Sequence, residues 1–265
     1  MGLHIPLEVK TIVPCTKPKW LSPTAINTYL KCPRKFYLKK IAKRKEKPSI
    51  HLIRGIAVHG AIEKFYECNL NRCAHLGFDE IIHALKVFLE EEWERQHYDL
   101  EELDLKAVDI EFFKHESQQM LKNFLDSFVQ EGGFEKSKPM IEKTLFSRPK
   151  RLLARVDKID RFQRPHLITD FKTSKSMEVT DDLRRQMGIS ALLYEEVYQT
   201  RPRVALHFLK FEKGLRFFQV GDALIQEMKQ LVEDVHLATV SGNSKDYPCA
   251  CGWCHHNFKE NGEDR

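Results

Sequence analysis

The strongest chemical signal in the sequence lies on two neighbouring segments, Arg155-Val156-Asp157-Lys158-Ile159-Asp160 and, across a turn, Leu167-Ile168-Thr169-Asp170-Phe171-Lys172. On adjacent strands Asp157 and Asp170 would face each other across the pleat, and Lys172, two residues beyond Asp170, would share its face. Two carboxylates so placed, flanked by apolar Leu153 and Ile168, repel each other unless a cation sits between them. Hard oxygen ligands suit Mg²⁺ or Mn²⁺. A metal held this way binds a phosphate oxygen and sharpens a nucleophilic water, while the lysine orients that water or stabilises developing charge. An isolated Asp-x-Lys is otherwise a solvated hairpin with an ion pair.

Further residues bear on that choice. His59 and Glu63 lie one helical turn apart, with Gly55 and Gly60 permitting close backbone approach. Gln186 and Tyr194, eight residues apart, lie on one face of a helix just after the second strand. Alone, His59 reads as a structural histidine and the second pair as a polar helix edge. The chain also has seven cysteines, Cys15, Cys32, Cys68 and Cys73 scattered early, and Cys249, Cys251 and Cys254 crowded near the end. An odd count without an export signal points to free thiols and metal ligands rather than disulfides. His255 and His256 offer mixed Cys/His ligation of zinc.

The elements that must position these groups follow from periodicity. With 265 residues, 42% of them apolar and 10% aromatic, and a net charge of +5, the chain suffices for one substantial core or two small ones. Disorder, collagen-like repetition and a coiled-coil rod are excluded. No apolar run approaches the ~20 residues of a membrane span. The first ten residues lack a secretory pattern and Pro6 opposes myristoylation, so a cytoplasmic protein is expected. Residues 1–20 read as an extended entry segment. Ser22 and Pro23 open two short helices broken at Cys32-Pro33, and further helices are predicted over Arg54–Tyr66, Asp79–Arg95 and Ile110–Phe128. Strands are predicted over Ile141–Ser147, Leu152–Phe162, His166–Thr173, Val204–Glu212 and Leu215–Val220, the last two joined by a tight Lys213-Gly214 turn. A helix over Asp181–Tyr198 crosses between the third and fourth strands, and a last helix covers Ala223–Val240. The pattern is one α/β domain with a mixed sheet and a helical N-terminal lobe. Lys31, Arg34, Lys35, Lys39, Lys40, Lys43, Arg44, Lys45 and Lys47 form a basic run opposed by Glu46 alone, while residues 90–104 are acidic. The basic run is either a solvated face or a path for phosphates, with Trp20, Phe36 and Tyr37 beside it for base stacking.

The ordered set His59, Asp157, Asp170-Phe171-Lys172 and Gln186 with Tyr194 resembles the PD-(D/E)XK nuclease superfamily in its RecB-type exonuclease branch. Leu21-Ser22-Pro23 through Cys32-Pro33-Arg34-Lys35-Phe36-Tyr37 resembles the start of such domains and is similar to AddB-like and CRISPR adaptation nucleases. Ala154 departs from the glycine usual three positions before the first aspartate. The resemblance implies a restriction-endonuclease-like domain over residues 21–254, with a helical lobe over 21–135, a sheet core over 136–240 and a Cys-rich staple over 249–254. A tail, 255–265, follows. It implies that Asp157, Asp170, the Phe171 carbonyl and His59 hold the metal, that Lys172 positions the attacking water, and that Gln186 and Tyr194 steady the site or touch the nucleic-acid backbone. It also implies a [4Fe–4S] cluster on Cys32, Cys249, Cys251 and Cys254, with Zn²⁺ as the alternative since the late spacing departs from the usual one. The implied activity is hydrolysis of single-stranded or frayed DNA ends in recombination, repair or defence, beside a helicase or other DNA-processing protein. Two other readings remain open, a catalytically silent nucleic-acid-binding subunit and a zinc-stapled interaction module.

Overall fold

The computed structural model describes residues 19–68, 75–135, 138–162, 164–252, 254 and 258. Cys15, Cys73, His255 and His256 lie outside the described residues. Helix α1, Pro23–Lys31, starts where the Ser22 hydroxyl accepts the Ala25 N–H at 3.2 Å. It stops at Cys32, whose extended backbone separates it from α2, Pro33–Phe36, and a π-helical turn follows over Tyr37–Ile41. Proline favours a first helical turn and restricts the residue before it, which accounts for the break at Cys32-Pro33. Helix α3, Ile50–Glu67, begins four residues earlier than its apolar pattern suggests because Ser49 caps it, accepting the Leu52 N–H at 3.3 Å. Helices α4, Phe78–Arg95, α5, His97–Glu101, and α6, Ala107–Gln130, complete the helical region.

Five strands follow in sheet order β1-β2-β3-β4-β5: Met140–Ser147, Leu152–Asp160, Leu167–Lys172, Arg203–Phe208 and Leu215–Phe218. All neighbours are antiparallel except β3 and β4, which are parallel. Parallel neighbours require a long crossover. Helix α7, Asp181–Tyr198, supplies it, and α8, Asp222–Ala238, packs beside α7. That approach is close, since a Cβ on Gly188 would stand 2.8 Å from Met228 Cγ.

The predicted tight turn at Lys213-Gly214 is instead a six-residue connection over 209–214. The Leu209 N–H bonds the Lys172 carbonyl at 2.8 Å, and the Leu209 side chain enters the helical core, so the chain leaves β4 before it can reach β5 directly. At Gly214 a Cβ would lie 2.0 Å from the Phe208 carbonyl oxygen, which excludes any other residue there.

Two apolar cores flank the sheet. One packs Leu21, Ala25 and Ile26 of the α1 region with α7, α8 and residues such as Ile168 and Leu206. The other joins α3, α4 and α6 to Phe171 and Leu209. The helical lobe is thus built by α3, α4 and α6, whereas α1 belongs to the sheet and the crossover layer. Buried polar contacts lie beside this apolar packing of sheet and lobe. Lys158 Nζ lies 3.2 Å from Asp160 Oδ2 and 3.4 Å from Glu131 Oε2, over the Tyr66 ring. Burial opposes the Lys158 charge, but Tyr66, Asp160 and Glu131 outweigh it and hold the pKa above its ordinary value. His207 on β4 sits 3.2 Å from Ser127 Oγ on α6, and burial lowers its pKa to about 4.

Candidate active site

The site forms where β2 and β3 part. Their backbone ladder runs from Asp160↔Leu167 to Lys158↔Thr169, and continuing the register by one residue sets Asp157 opposite Asp170. There the backbone pairing ends, and Asp157 Oδ2 takes the Phe171 N–H at 2.7 Å. A side-chain oxygen does the work of the missing strand partner, leaving a carboxylate at the mouth of the splay. Alternation along β2 slips at the same point, since Ala154, Val156 and Ile159 all enter one core.

The β1 register, from Ile141↔Lys158 to Lys143↔Val156, sets Glu142 opposite Asp157 in the same way. Glu142 has a left-handed φ of 49° and is paired with Arg155. Three consecutive strands therefore carry Glu142, Asp157 and Asp170 in a row. His59, near the middle of α3, reaches the row with Nδ1 3.6 Å from Asp157 Oδ2, its ring edge-on to Phe171. Ligand atoms of His59, Glu142 and Asp157 all lie within 4.8 Å of one another. Gly60 lets α3 approach α4 here, because a Cβ on it would stand 2.7 Å from Glu92 Cδ.

The electrostatics of this group are those of crowded, buried carboxylates. Burial, then the Asp170 charge, pushes the Asp157 pKa well above the carboxylate range, to about 8, and burial and then Asp157 raise that of Glu142. Burial keeps His59 below its ordinary value despite the nearby Asp170 and Glu142 and a hydrogen bond with the Phe171 backbone. Asp170 Oδ2 is buried without a well-aligned hydrogen bond, although Lys172 Nζ stands 2.6 Å away in an ion pair. A neutral imidazole, three crowded carboxylates and an unsatisfied buried oxygen fit a hard divalent cation.

Beside the row, Gln186 bridges its members. Its Nε2 donates to Asp170 Oδ1 at 2.6 Å and its Oε1 accepts from Lys172 Nζ at 2.9 Å. The structure does not bring Tyr194 to them. Tyr194 is fully buried, with its hydroxyl 2.5 Å from His166 Nδ1 at the start of β3, out of reach of a nucleic-acid backbone. The row opens on a cleft of about 560 Å³ that also touches His51, Arg54, Thr173, Ser174 and Lys175. Sequence reasoning passed over Glu142 and these cleft residues. Only the adjacency of Arg54 to the Gly55–His59 segment marked any of them.

Cys32, Cys249, Cys251 and Cys254 also meet, with all four sulfurs within 4.8 Å of one another. Cys249 Sγ is 3.1 Å from Cys254 Sγ and 4.0 Å from Cys251 Sγ. Hydrogen bonding by Cys254 lowers the Cys249 pKa to about 6, while burial raises Cys254 to about 12. The basic run divides. Lys31 pairs with Asp182, and Lys35 and Lys39 both hold Glu46, at 2.6 and 2.5 Å. Arg34 donates to the Ser244 carbonyl at 2.8 Å and lies over Tyr37. Phe36 is buried against Tyr247. Among the described residues no carboxylate pairs with Lys40, Lys43 or Arg44.

Among the described residues no helix is long and apolar enough to cross a membrane. A search of curated proteins found no match. A crystal structure from Eubacterium rectale, described as a "putative exonuclease", shares the fold, with a TM-score of 0.55, 13% identity, and 92% of this chain and 90% of that one covered. The family model of the PD-(D/E)XK nuclease superfamily matches residues 20–257, a span that contains the carboxylate row, Lys172 and Gln186. The splayed strands and their acidic row lie inside the matched span, and the chain belongs to the PD-(D/E)XK nuclease superfamily.

Proposed function

We propose that the protein is a Mg²⁺- or Mn²⁺-dependent deoxyribonuclease that hydrolyses phosphodiesters from single-stranded or frayed DNA ends. The row Glu142, Asp157 and Asp170, with Lys172 against it, carries this reading. The description of the E. rectale structure as an exonuclease supports action at ends. His59, Glu142, Asp157, Asp170 and the Phe171 carbonyl are the ligand set, and a divalent cation bound there supplies stabilisation of the charge that builds on the phosphate. Lys172, held between Asp170 and Gln186, orients the water whose oxygen bonds to phosphorus as the bond to the leaving sugar oxygen breaks. Gln186 fixes the Lys172 rotamer and the Asp170 plane together. Lys40, Lys43 and Arg44 remain for phosphate contacts away from the site, and Tyr194 acts as a core residue.

The four cysteines form a second, structural metal site. Four thiolates on one tetrahedral ion with bonds of ~2.3 Å have sulfurs about 3.8 Å apart. A [4Fe–4S] cluster needs a wider set, because each thiolate binds its own iron. The observed separations of 3.1, 4.0 and at most 4.8 Å favour a single Zn²⁺.

Digestion of end-labelled linear and circular single-stranded DNA with Mg²⁺, Mn²⁺ or EDTA tests the activity. Metal-dependent loss of the linear substrate alone, abolished in Lys172→Ala, is expected. Cleavage of the circle overturns the exonuclease reading, and tight binding without cleavage of either substrate overturns the enzyme.

A further inference from the structure

The cleft is bipolar. Its acidic end is the row just described, and its other end, toward the start of α3, is lined by His51, Arg54, Thr173, Ser174 and Lys175. Arg54 is 2% exposed and fixed on two sides, with Nη1 donating to Glu116 at 2.5 Å and Nη2 to the Thr173 carbonyl at 2.8 Å. The Glu116 charge is shared, since its other oxygen takes Lys210 Nζ at 2.5 Å. One carboxylate thus serves two cations, and Lys175 adds a third. Arg54 Nε is buried without a partner. Burial and then the charges of Arg54, Lys175 and Lys210 lower the His51 pKa, with Glu116 alone opposing them. A cationic end with more cations than carboxylates, two hydroxyls and a buried N–H without a partner suits an anion.

We infer that His51, Arg54 and Lys175 form a phosphate subsite that holds the phosphate next to the scissile one. This deepens the nuclease reading and rests on it. The cleft volume of about 560 Å³ suits one nucleotide, with one phosphate at each end. Arg54 is the pre-set donor, because Glu116 and Thr173 hold its plane before substrate arrives. Lys175 and His51 close the subsite from the exposed rim.

The test uses an end-labelled DNA oligonucleotide in which single linkages are replaced in turn by neutral methylphosphonate. Binding is followed by anisotropy with Ca²⁺ and cleavage with Mg²⁺. For wild type, neutralising one linkage adjacent to the scissile position is expected to weaken binding about tenfold. For Lys175→Ala with His51→Ala, KM is expected to rise about tenfold with kcat within twofold, and the effect of that neutral linkage to disappear. Both variants are at the exposed rim, so folding is retained and thermal melts check it. If wild type responds equally at all linkages, or if the double variant keeps its response to the neutral linkage, the subsite is overturned. The binding arm stands apart from catalysis: a protein that binds with this position dependence but never cleaves overturns the nuclease reading and leaves the subsite standing.

Discussion

Glu142 on β1 and Asp157 on β2 stand directly opposite each other in register, with carboxylate oxygens within 4.8 Å of each other and of His59. Such closeness is relieved by a cation, and in the proposed metal site Glu142 and Asp157 share one ion. Glu142→Gln keeps the shape and removes one charge. It is expected to weaken Mn²⁺ binding by at least about tenfold, read by calorimetric titration, and to lower kcat by on the order of 10²-fold.

Metal binding should release protons. Burial and then the Asp170 charge raise Asp157 to about 8, so the metal-free protein holds a proton there that a cation must displace. Affinity for Mn²⁺ therefore rises with pH near neutrality, and the calorimetric enthalpy changes with the ionisation enthalpy of the buffer. The sign for stability is opposite. Where the native carboxyls stay protonated and the unfolded ones have ionised, the metal-free protein loses stability as pH rises, and saturating metal removes that loss.

His207 sets a second pH dependence. Its folded pKa of about 4 lies below the ordinary 6.5, so the unfolded chain binds the extra proton first. Stability from this group is complete above 6.5 and is lost as pH falls toward about 4, by about 3 kcal/mol in the limit of full protonation of the unfolded state. Urea midpoints across that range should fall in wild type and flatten in His207→Gln.

Gly60→Ala weighs two effects of opposite sign. Alanine gains about 1 kcal/mol of helix propensity, but its Cβ would meet Glu92 at 2.7 Å. Glu92 is buried and tied to Lys64 at 2.9 Å and Arg95 at 2.8 Å, so it cannot swing away cheaply. Overpacking of about 1–3 kcal/mol wins. A lower urea midpoint is expected, with a larger loss of activity than of stability, because His59 moves with the α3 backbone.

Cys32→Ser opens the thiolate site. Purified wild type is expected to carry about one zinc per chain at this site and to be colourless, and the variant to lose that zinc and melt at lower temperature. A brown protein with about four irons would overturn the single-ion geometry.

Much of the site was readable from spacing. Asp157, Asp170 and Lys172 follow from strand periodicity, and His59 and Gln186 meet them as the ordered motifs imply. Tyr194 did not, for a helical reason. Eight residues beyond Gln186 returns to the same face but roughly 12 Å along the axis, which carries the side chain to the far end of β3. Glu142 was hidden because Ile141–Ser147 reads as an ordinary strand, and neither its register nor a left-handed residue shows in its alternation. The basic run was legible as charge but not as pairing, since Asp182, the partner of Lys31, lies about 150 residues away.

The position of α1 bears on how the chain is made. Leu21 inserts beside β2, with its N–H on the Arg151 carbonyl and its carbonyl on the Leu153 N–H. Leu21, Ala25 and Ile26 share a core with α7 and α8, and Cys32 meets Cys254 about 220 residues later. Helix α1 thus finds its partners in segments at least 150 residues downstream of it. Until α7 and α8 have been made its apolar face stays uncovered, so completion of the sheet core waits on distant segments and holding chaperones have a defined client segment.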